Sequence, residues 1–281
     1  MYSEIGLDLQ AFAKRVYDDI LYQSTFYNFL NPAFIGVLRQ TGAPVIEVAK
    51  TNTLSVNVRE TKEIQNALTP SLVGYSHTIV DLTELPMDYA IRVPVTVTGS
   101  DISNAIQSAV DLEDSAIATA IDTYGYGKLA SASMDEAEWD PATKEDYIST
   151  LNGLRAKLFN KKITGDYRLG LGATEYANLV SALTSVLKFE TLAGREGVDM
   201  GEIARVYGIS IFEINDSMLG DEKGYFFNPI AVVGDTFFSA FVQTASDIRY
   251  PGYFCISGNQ LFGAEVVRPE AIIRLVEEVS A

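Results

Sequence analysis

The residues able to do chemistry are few and scattered. His77 is the only histidine and Cys255 the only cysteine in 281 residues. One cysteine forms no disulfide within the chain, and a single residue of each type builds neither a Cys/His zinc set nor a histidine pair for a metal. Cys255, in Tyr253-Phe254-Cys255-Ile256-Ser257, reads as a small buried hydrophobe. Gly170-Leu171-Gly172-Ala173-Thr174-Glu175 follows a strand pattern and opens a helix, where a dinucleotide fingerprint belongs. Its third glycine is missing, and Glu175 would turn a negative charge on a pyrophosphate. Gly127-Lys128-Leu129 resembles a P-loop ending without its Ser or Thr or its upstream glycine. Residues 133–140, SMDEAEWD, hold four carboxylates, but lack the central glycine and terminal glutamate of a calcium loop, and read as a solvated loop. No nucleophile, base and orienting group come together. The expectation is no catalytic residue, no metal ligand, no cofactor and no enzyme.

Bulk properties narrow the classes further. The net charge of −16 argues against a nucleic-acid-binding surface, whose affinity comes from basic side chains on phosphates. With 47% hydrophobic residues and a mean hydropathy of +0.10, the chain affords a real core, as one large domain or two. The richest apolar stretch, Phe26 to Leu38, is broken by Asn28, Asn31 and Pro32, and falls short of the ~18 residues a membrane helix needs. The N-terminus, MYSEIGLDLQ, lacks the basic start and apolar middle of a signal peptide, so synthesis in the cytoplasm is expected.

The elements that would position any site follow from periodicity. Leu112 to Ala132 is the central helix, with Leu112, Ile117, Ile121 and Tyr124 at helical spacing, Ala116 and Ala120 in the same stripe, and acids at its start. Gly125 and Gly127 weaken its last turns. Tyr89 to Thr98 alternates as a half-buried strand, and Pro94 makes it an edge or a bulge. Residues 8–24 form an amphipathic helix, followed by the aromatics Tyr22, Phe26, Tyr27, Phe29 and Phe34. These aromatics are too many for a free tail: the segment either packs on the chain's own core or forms an arm laid on a neighbouring subunit. Val45 to Val48, Thr53 to Arg59 and Tyr75 to Leu82 are strand candidates, and residues 52–98 read as a long β-ribbon that needs something to lie on. Thr143 caps a helix reaching Asn160 with Ile148, Leu151, Leu154 and Leu158 as its stripe. A strand at Tyr167 to Leu171, a helix at Thr174 to Leu187, a short helix and strand in Gly201 to Ile214, and a strand in Gly224 to Val233 complete an α/β lobe. Thr236 to Thr244, Tyr253 to Ser257 and Ala264 to Arg268 are closing strands, followed by apolar Ala271 to Val276.

This order resembles that of tailed-bacteriophage major capsid proteins. VPVTVTGSDISNA running into LEDSAIATAIDTYGYGKL is similar to the return strand and spine helix of that family. LRAKLFNKKITGDYRLGLGATEYANL resembles the helix, strand and turn of its axial domain, IARVYGISIFEIN the next strand, and LFGAEVVRPEAIIRLVEE the closing strand. The resemblance covers nearly the whole chain and rests on order more than on any single motif. It implies an α+β, Hong Kong 97-like capsid fold with these parts: 1–40 an N-terminal arm; 41–51 the first strand of the peripheral domain; 52–98 the extended β-loop; 99–144 the peripheral domain with its spine helix; 145–240 the axial domain; 241–281 closing strands shared by the two.

The function it implies is a structural coat protein that assembles, as pentamers and hexamers, into an icosahedral shell around phage double-stranded DNA. The DNA is enclosed without specific binding. The implied partners are a separate scaffolding protein, since only about forty residues precede the first strand, and a portal; no membrane is involved. The implied place is the virion capsid, assembled in the host bacterial cytoplasm. Intersubunit contact is expected of Tyr22, Phe26, Tyr27, Phe29, Arg59, Lys62, Tyr75 and His77. Lys62 lies on the extended loop, where some members crosslink, but neither its partner nor an activating acid is identified and no crosslink is expected. An encapsulin-type nanocompartment shell is the alternative with the same fold. An α/β enzyme or small-molecule binding protein is the alternative from another class.

Overall fold

The structure is a computed structural model that describes residues 24–35, 45–51, 75–81, 83–94, 100–183, 204–206, 208–239, 245–246 and 253–277. The strands in chain order are β1 (Val45–Thr51), β2 (Tyr75–Asp81), β3 (Leu85–Pro94), β4 (Asp135–Glu138), β5 (Tyr167–Gly172), β6 (Ala204–Val206), β7 (Ile209–Ile214), β8 (Gly224–Phe227), β9 (Val232–Ser239), β10 (Ala245–Ser246), β11 (Tyr253–Val266) and β12 (Ile272–Val276). The helices are α1 (Ser100–Ser131), α2 (Lys144–Asn160) and α3 (Ala173–Leu183). The predicted helix at 8–24, apart from Ser24, and the predicted strand at 53–59 lie outside the described residues.

The spine is longer than expected. α1 has 32 residues, starts at Ser100 instead of Leu112, and passes both glycines unbroken. Its buried face is Ile117, Ala118, Ile121, Asp122, Tyr126 and Leu129, while Ala116 is exposed and Ala120 and Tyr124 half-buried. The stripe is rotated because two positions on the inner face, Asp122 and Gly125, carry no apolar side chain. Arg274 of β12 closes the far end: its Nη2 donates to the carbonyls of Ala130 at 2.8 Å and Ala132 at 3.2 Å. Those are groups that the end of a helix leaves unpaired.

A six-stranded sheet, in the order β4-β12-β8-β5-β7-β6, forms the α/β lobe. Its inner strands alternate between two buried faces. Tyr167 of β5 stacks on Phe226 of β8 on the side of α2, whose Arg155 lies over the Tyr167 ring. Tyr225 and Phe227 of β8 and Phe212 of β7 turn to the other side. α2 begins with a capping box, Thr143 with Asp146, and buries Tyr147, Leu151, Leu154 and Leu158. Tyr147 takes the place expected of Ile148, which is half-buried.

Several local expectations change. The acidic stretch 133–140 is not a loop: Asp135–Glu138 is β4, an edge strand parallel to β12. Ala137 and Trp139 turn inward and supply the apolar side that eight residues of mostly charge conceal. Ala204–Val206 is a strand antiparallel to β7 instead of a short helix. The segment 224–233 splits at Asn228-Pro229, where proline removes a ladder donor. The two closing strands expected at 253–257 and 264–268 are one 14-residue strand, β11, because Gly258 and Gly263 stay in register with their partners.

β11 is the axis of a second sheet. β3 runs antiparallel to it from Leu85 opposite Phe262 to Pro94 opposite Tyr253, and β9 pairs its other edge. Pro94 ends a strand whose one partner among the described residues is β11, in keeping with an edge. β2 pairs with β1, not with β3. Residues 85–94 of the expected ribbon therefore pair with β11 of the same chain. Val80 of β2 packs with Val233 and Val267, tying the β1–β2 pair to the body.

Candidate functional site

Three of the aromatics expected at a subunit boundary are core residues. Phe26 and Phe29 are 0% exposed and Tyr27 7%, buried against their own chain. Phe29 stacks on Phe227 with centroids 3.9 Å apart and meets Phe212, Tyr225 and Tyr126 edge-on. Phe26 stacks on Phe29 and presents its edge to Phe262 of β11. The segment 24–35 is thus wedged between the spine, the six-stranded sheet and β11. Aromatic pairs in these geometries add about 0.5–1.5 kcal/mol each beyond burial. An aromatic-rich segment reads the same in sequence whether it covers a neighbour or its own core; only the receiving surface separates the two.

The receiving surface is built from the two non-apolar positions of α1. A Cβ on Gly125 would lie 2.3 Å from Cγ of Phe26, so the glycine is the seat of that ring. Asp122 accepts from Ser24 Oγ at 2.6 Å, from the backbone N–H of Phe26 at 2.9 Å and of Thr25 at 3.2 Å, and from Thr25 Oγ1 at 3.1 Å. Burial pushes the Asp122 carboxyl above its usual range, against the pull of these donors. Arg168 Nη1 donates to the Asn28 carbonyl at 2.6 Å, and the Asn31 N–H donates to Val232 at 2.9 Å. Neither Asp122 nor Gly125 gives a sequence signal, because each works only against a segment about one hundred residues away.

The other expected contact residues are spread out. Tyr22, Arg59 and Lys62 lie outside the described residues. Tyr75 and His77 are in β2, with backbones opposite Thr51 and Ala49. The next residue but one, Ile79, is 66% exposed while Val80 is buried, so β2 shows one apolar side chain outward. Phe159, near the end of α2, is 62% exposed. The sequence reading did not single it out.

The glycine-rich turn after β5 holds a carboxylate where a phosphate would sit. A Cβ on Gly172 would meet Asp216 Oδ1 at 2.4 Å, and Thr174 Oγ1 donates to Asp216 at 2.8 Å. Glu175 and Lys223 lie 3.5 Å apart on the rim of the same groove, of about 670 Å³. This lining repels phosphates. Among the described residues no group of three or more His, Cys, Asp or Glu could hold a metal ion, and no helix is long and apolar enough to cross a membrane.

No family model matches the chain, and no curated protein does. Its architecture does have solved counterparts. A structure from Mycobacterium phage Che8 superposes with a TM-score of 0.60 at 17% identity, covering 92% of this chain and 93% of that one. The capsid structure of cyanophage P-SCSP1u gives a TM-score of 0.60 at 17% identity over 85% and 84% of the two chains. The mature capsid of bacteriophage PhiM1 gives 0.54 at 9% identity over 85% and 83%.

The chain has the Hong Kong 97-like capsid fold.

Within this fold a charged cluster joins the return strand, the spine and the β11 axis. Lys128 of α1 lies 2.6 Å from Glu84, just before β3, and 3.3 Å from Glu265 of β11. Tyr124 also donates to Glu84. The bonds from Lys128 and Tyr124 hold Glu84 below the usual carboxylate range. Burial, together with its bond to Glu84, pushes Tyr124 up to about 12.

Proposed function

We propose that this chain is a major capsid protein, a non-enzymatic subunit that self-assembles into an icosahedral shell around phage double-stranded DNA. The observation that carries the reading is the extent of the capsid fold. The match to the P-SCSP1u capsid runs over more than four fifths of both chains, with no large part left over for another activity. The internal construction supports it. A 32-residue spine, an N-terminal segment wedged against it and a sheet lobe packed through the same aromatics share one continuous core.

The subunits would form pentamers and hexamers, with a separate scaffolding protein and a portal as partners. Shell and DNA would be assembled in the host cytoplasm and carried in the virion. The parts proposed are the arm at 1–40, the extended loop at 52–98, the peripheral domain at 41–51 and 99–144, the axial domain at 145–240, and shared closing strands at 241–281. Electron microscopy of the expressed protein tests the reading. Closed shells are expected, and particles made during infection should contain DNA. A stable monomer at high concentration, or shells loaded with an enzyme instead of DNA, would overturn it.

A further inference from the structure

The six-stranded sheet has ends of opposite charge. Where β5 and β12 begin, α2 finishes in Arg155-Ala156-Lys157-Leu158-Phe159-Asn160-Lys161-Lys162. Leu158 is fully buried, which fixes the helix rotation and turns Phe159 outward. At this end of the sheet, Lys161 is held by Asp135 at 2.5 Å and Arg155 lies over Tyr167. Of the acids at this end, Asp166 is taken by Arg168 at 2.9 Å, and Glu270, whose carbonyl lies 3.5 Å from Lys161 Nζ, is also partnered. Lys157 and Lys162 are exposed, and their side chains make no hydrogen bond or ion pair among the described residues. A chain of net charge −16 thus leaves two free cations and a bare aromatic ring at the same end of the sheet.

Where β5 and β12 finish, the surface is the acidic groove. Glu175, Asp216, Asp221 and Glu277 line it with Lys223, while Glu222 is drawn to Arg274 at 3.0 Å. The Glu277 side chain is 81% exposed. β12, five residues long, separates the two ends by roughly 16 Å. The helix follows the same polarity, with Glu145 and Asp146 in its first turn and Lys157 in its last. Two copies meeting through like ends would oppose like charges. Meeting through unlike ends, they set an aromatic anchor with a basic rim on an acidic surface. A contact between different surfaces of identical subunits propagates head to tail, and closes into a ring when the rotation allows.

We propose that Phe159, with Lys157 and Lys162, docks on the acidic surface around Asp221 and Glu277 of a second copy, joining neighbours head to tail. The inference rests on the shell reading and adds the contact surface to it. Charge reversal tests it, using the full chain with assembly followed by sedimentation and electron microscopy. Lys157→Glu with Lys162→Glu, and separately Asp221→Lys with Glu277→Lys, should each cut the assembled fraction about tenfold, as opposed charges do across an interface. The chain carrying all four changes should assemble to within about threefold of wild type, since the attraction is restored with its sign exchanged. Phe159→Ser should also assemble poorly while melting as wild type does, its ring being solvent-exposed. Wild-type assembly by every variant overturns the docking and leaves the shell reading standing, as does a fourfold variant no better than its parents. A wild-type chain that forms no particles removes the shell reading, and the docking with it.

Discussion

Two glycines of the spine, two residues apart, should answer an added methyl group in opposite ways. On Gly125 the methyl would sit 2.3 Å from the Phe26 ring, while on Gly127 nothing lies within 4 Å. Gly127→Ala should raise stability by about 0.5–1 kcal/mol, because glycine in a helix interior is unfavourable by that amount. Gly125→Ala should lower it by about 1–3 kcal/mol, the usual range for overpacking a filled core. Thermal melting of the two variants checks both signs. If Gly125→Ala also stabilises, Phe26 does not sit on the spine. Read as sequence, the two positions are alike, each a helix weakener; the difference is made by a ring from residue 26. The same scale governs a pH effect at Glu84. Its folded pKa is lowered, so its contribution is fully present above the unfolded carboxylate value and is lost as pH falls through the folded one. The melting difference between wild type and Glu84→Gln should therefore be present at neutral pH and close below about pH 4. A difference that widens on acidification would contradict the Lys128–Glu84 link.

Elements were legible in proportion to how local their causes are. α2 announces itself by a cap, an acid three residues on and a stripe of leucines, all within seventeen residues. The lower half of α1 was readable as the central helix; its upper twelve residues were not assigned to it, although Ile102, Ala105, Ile106, Ala109 and Val110 keep the same helical spacing. β4 was hidden by its carboxylates, which suit an exposed edge. β11 was hidden by its glycines, whose places are set by β3 and β9. At the junction of β5 and β8 the cause is again remote. Gly224 has φ +156° and a Cβ there would lie 2.2 Å from the Gly170 carbonyl oxygen. Gly224→Ala should cost roughly 2–4 kcal/mol, strain and overlap together. It should also speed amide exchange first in β5 and β8, since those strands pair at this point. Fast exchange starting instead in β3 and β11 would place the weak point in the other sheet.

At the scale of the whole molecule, net charge and its distribution bear on what the proposed shell subunit would do with DNA. A wall that gripped the duplex would impede its movement during packaging, so weak affinity is the physical requirement. The sequence shows −16 but not where the cations lie. The structure gathers several at the end of α2, enough to ask whether that patch binds DNA. Arg155, Lys157 and Lys162 are the cations there outside the Lys161–Asp135 and Arg168–Asp166 bridges, so about three phosphates are what it could neutralise. Each phosphate contact steepens the salt dependence by about 0.9 in log–log slope, so three give a slope near −3, against about −10 for a strong DNA-binding protein. Acidic surface elsewhere on the subunit opposes even that. The free subunit should therefore pass through a duplex-DNA column at ~50 mM salt, where basic proteins are retained. Lys157→Glu with Lys162→Glu should leave its elution unchanged while impairing assembly. Retention of wild type that this variant abolishes would assign the patch to DNA instead of to a neighbouring subunit.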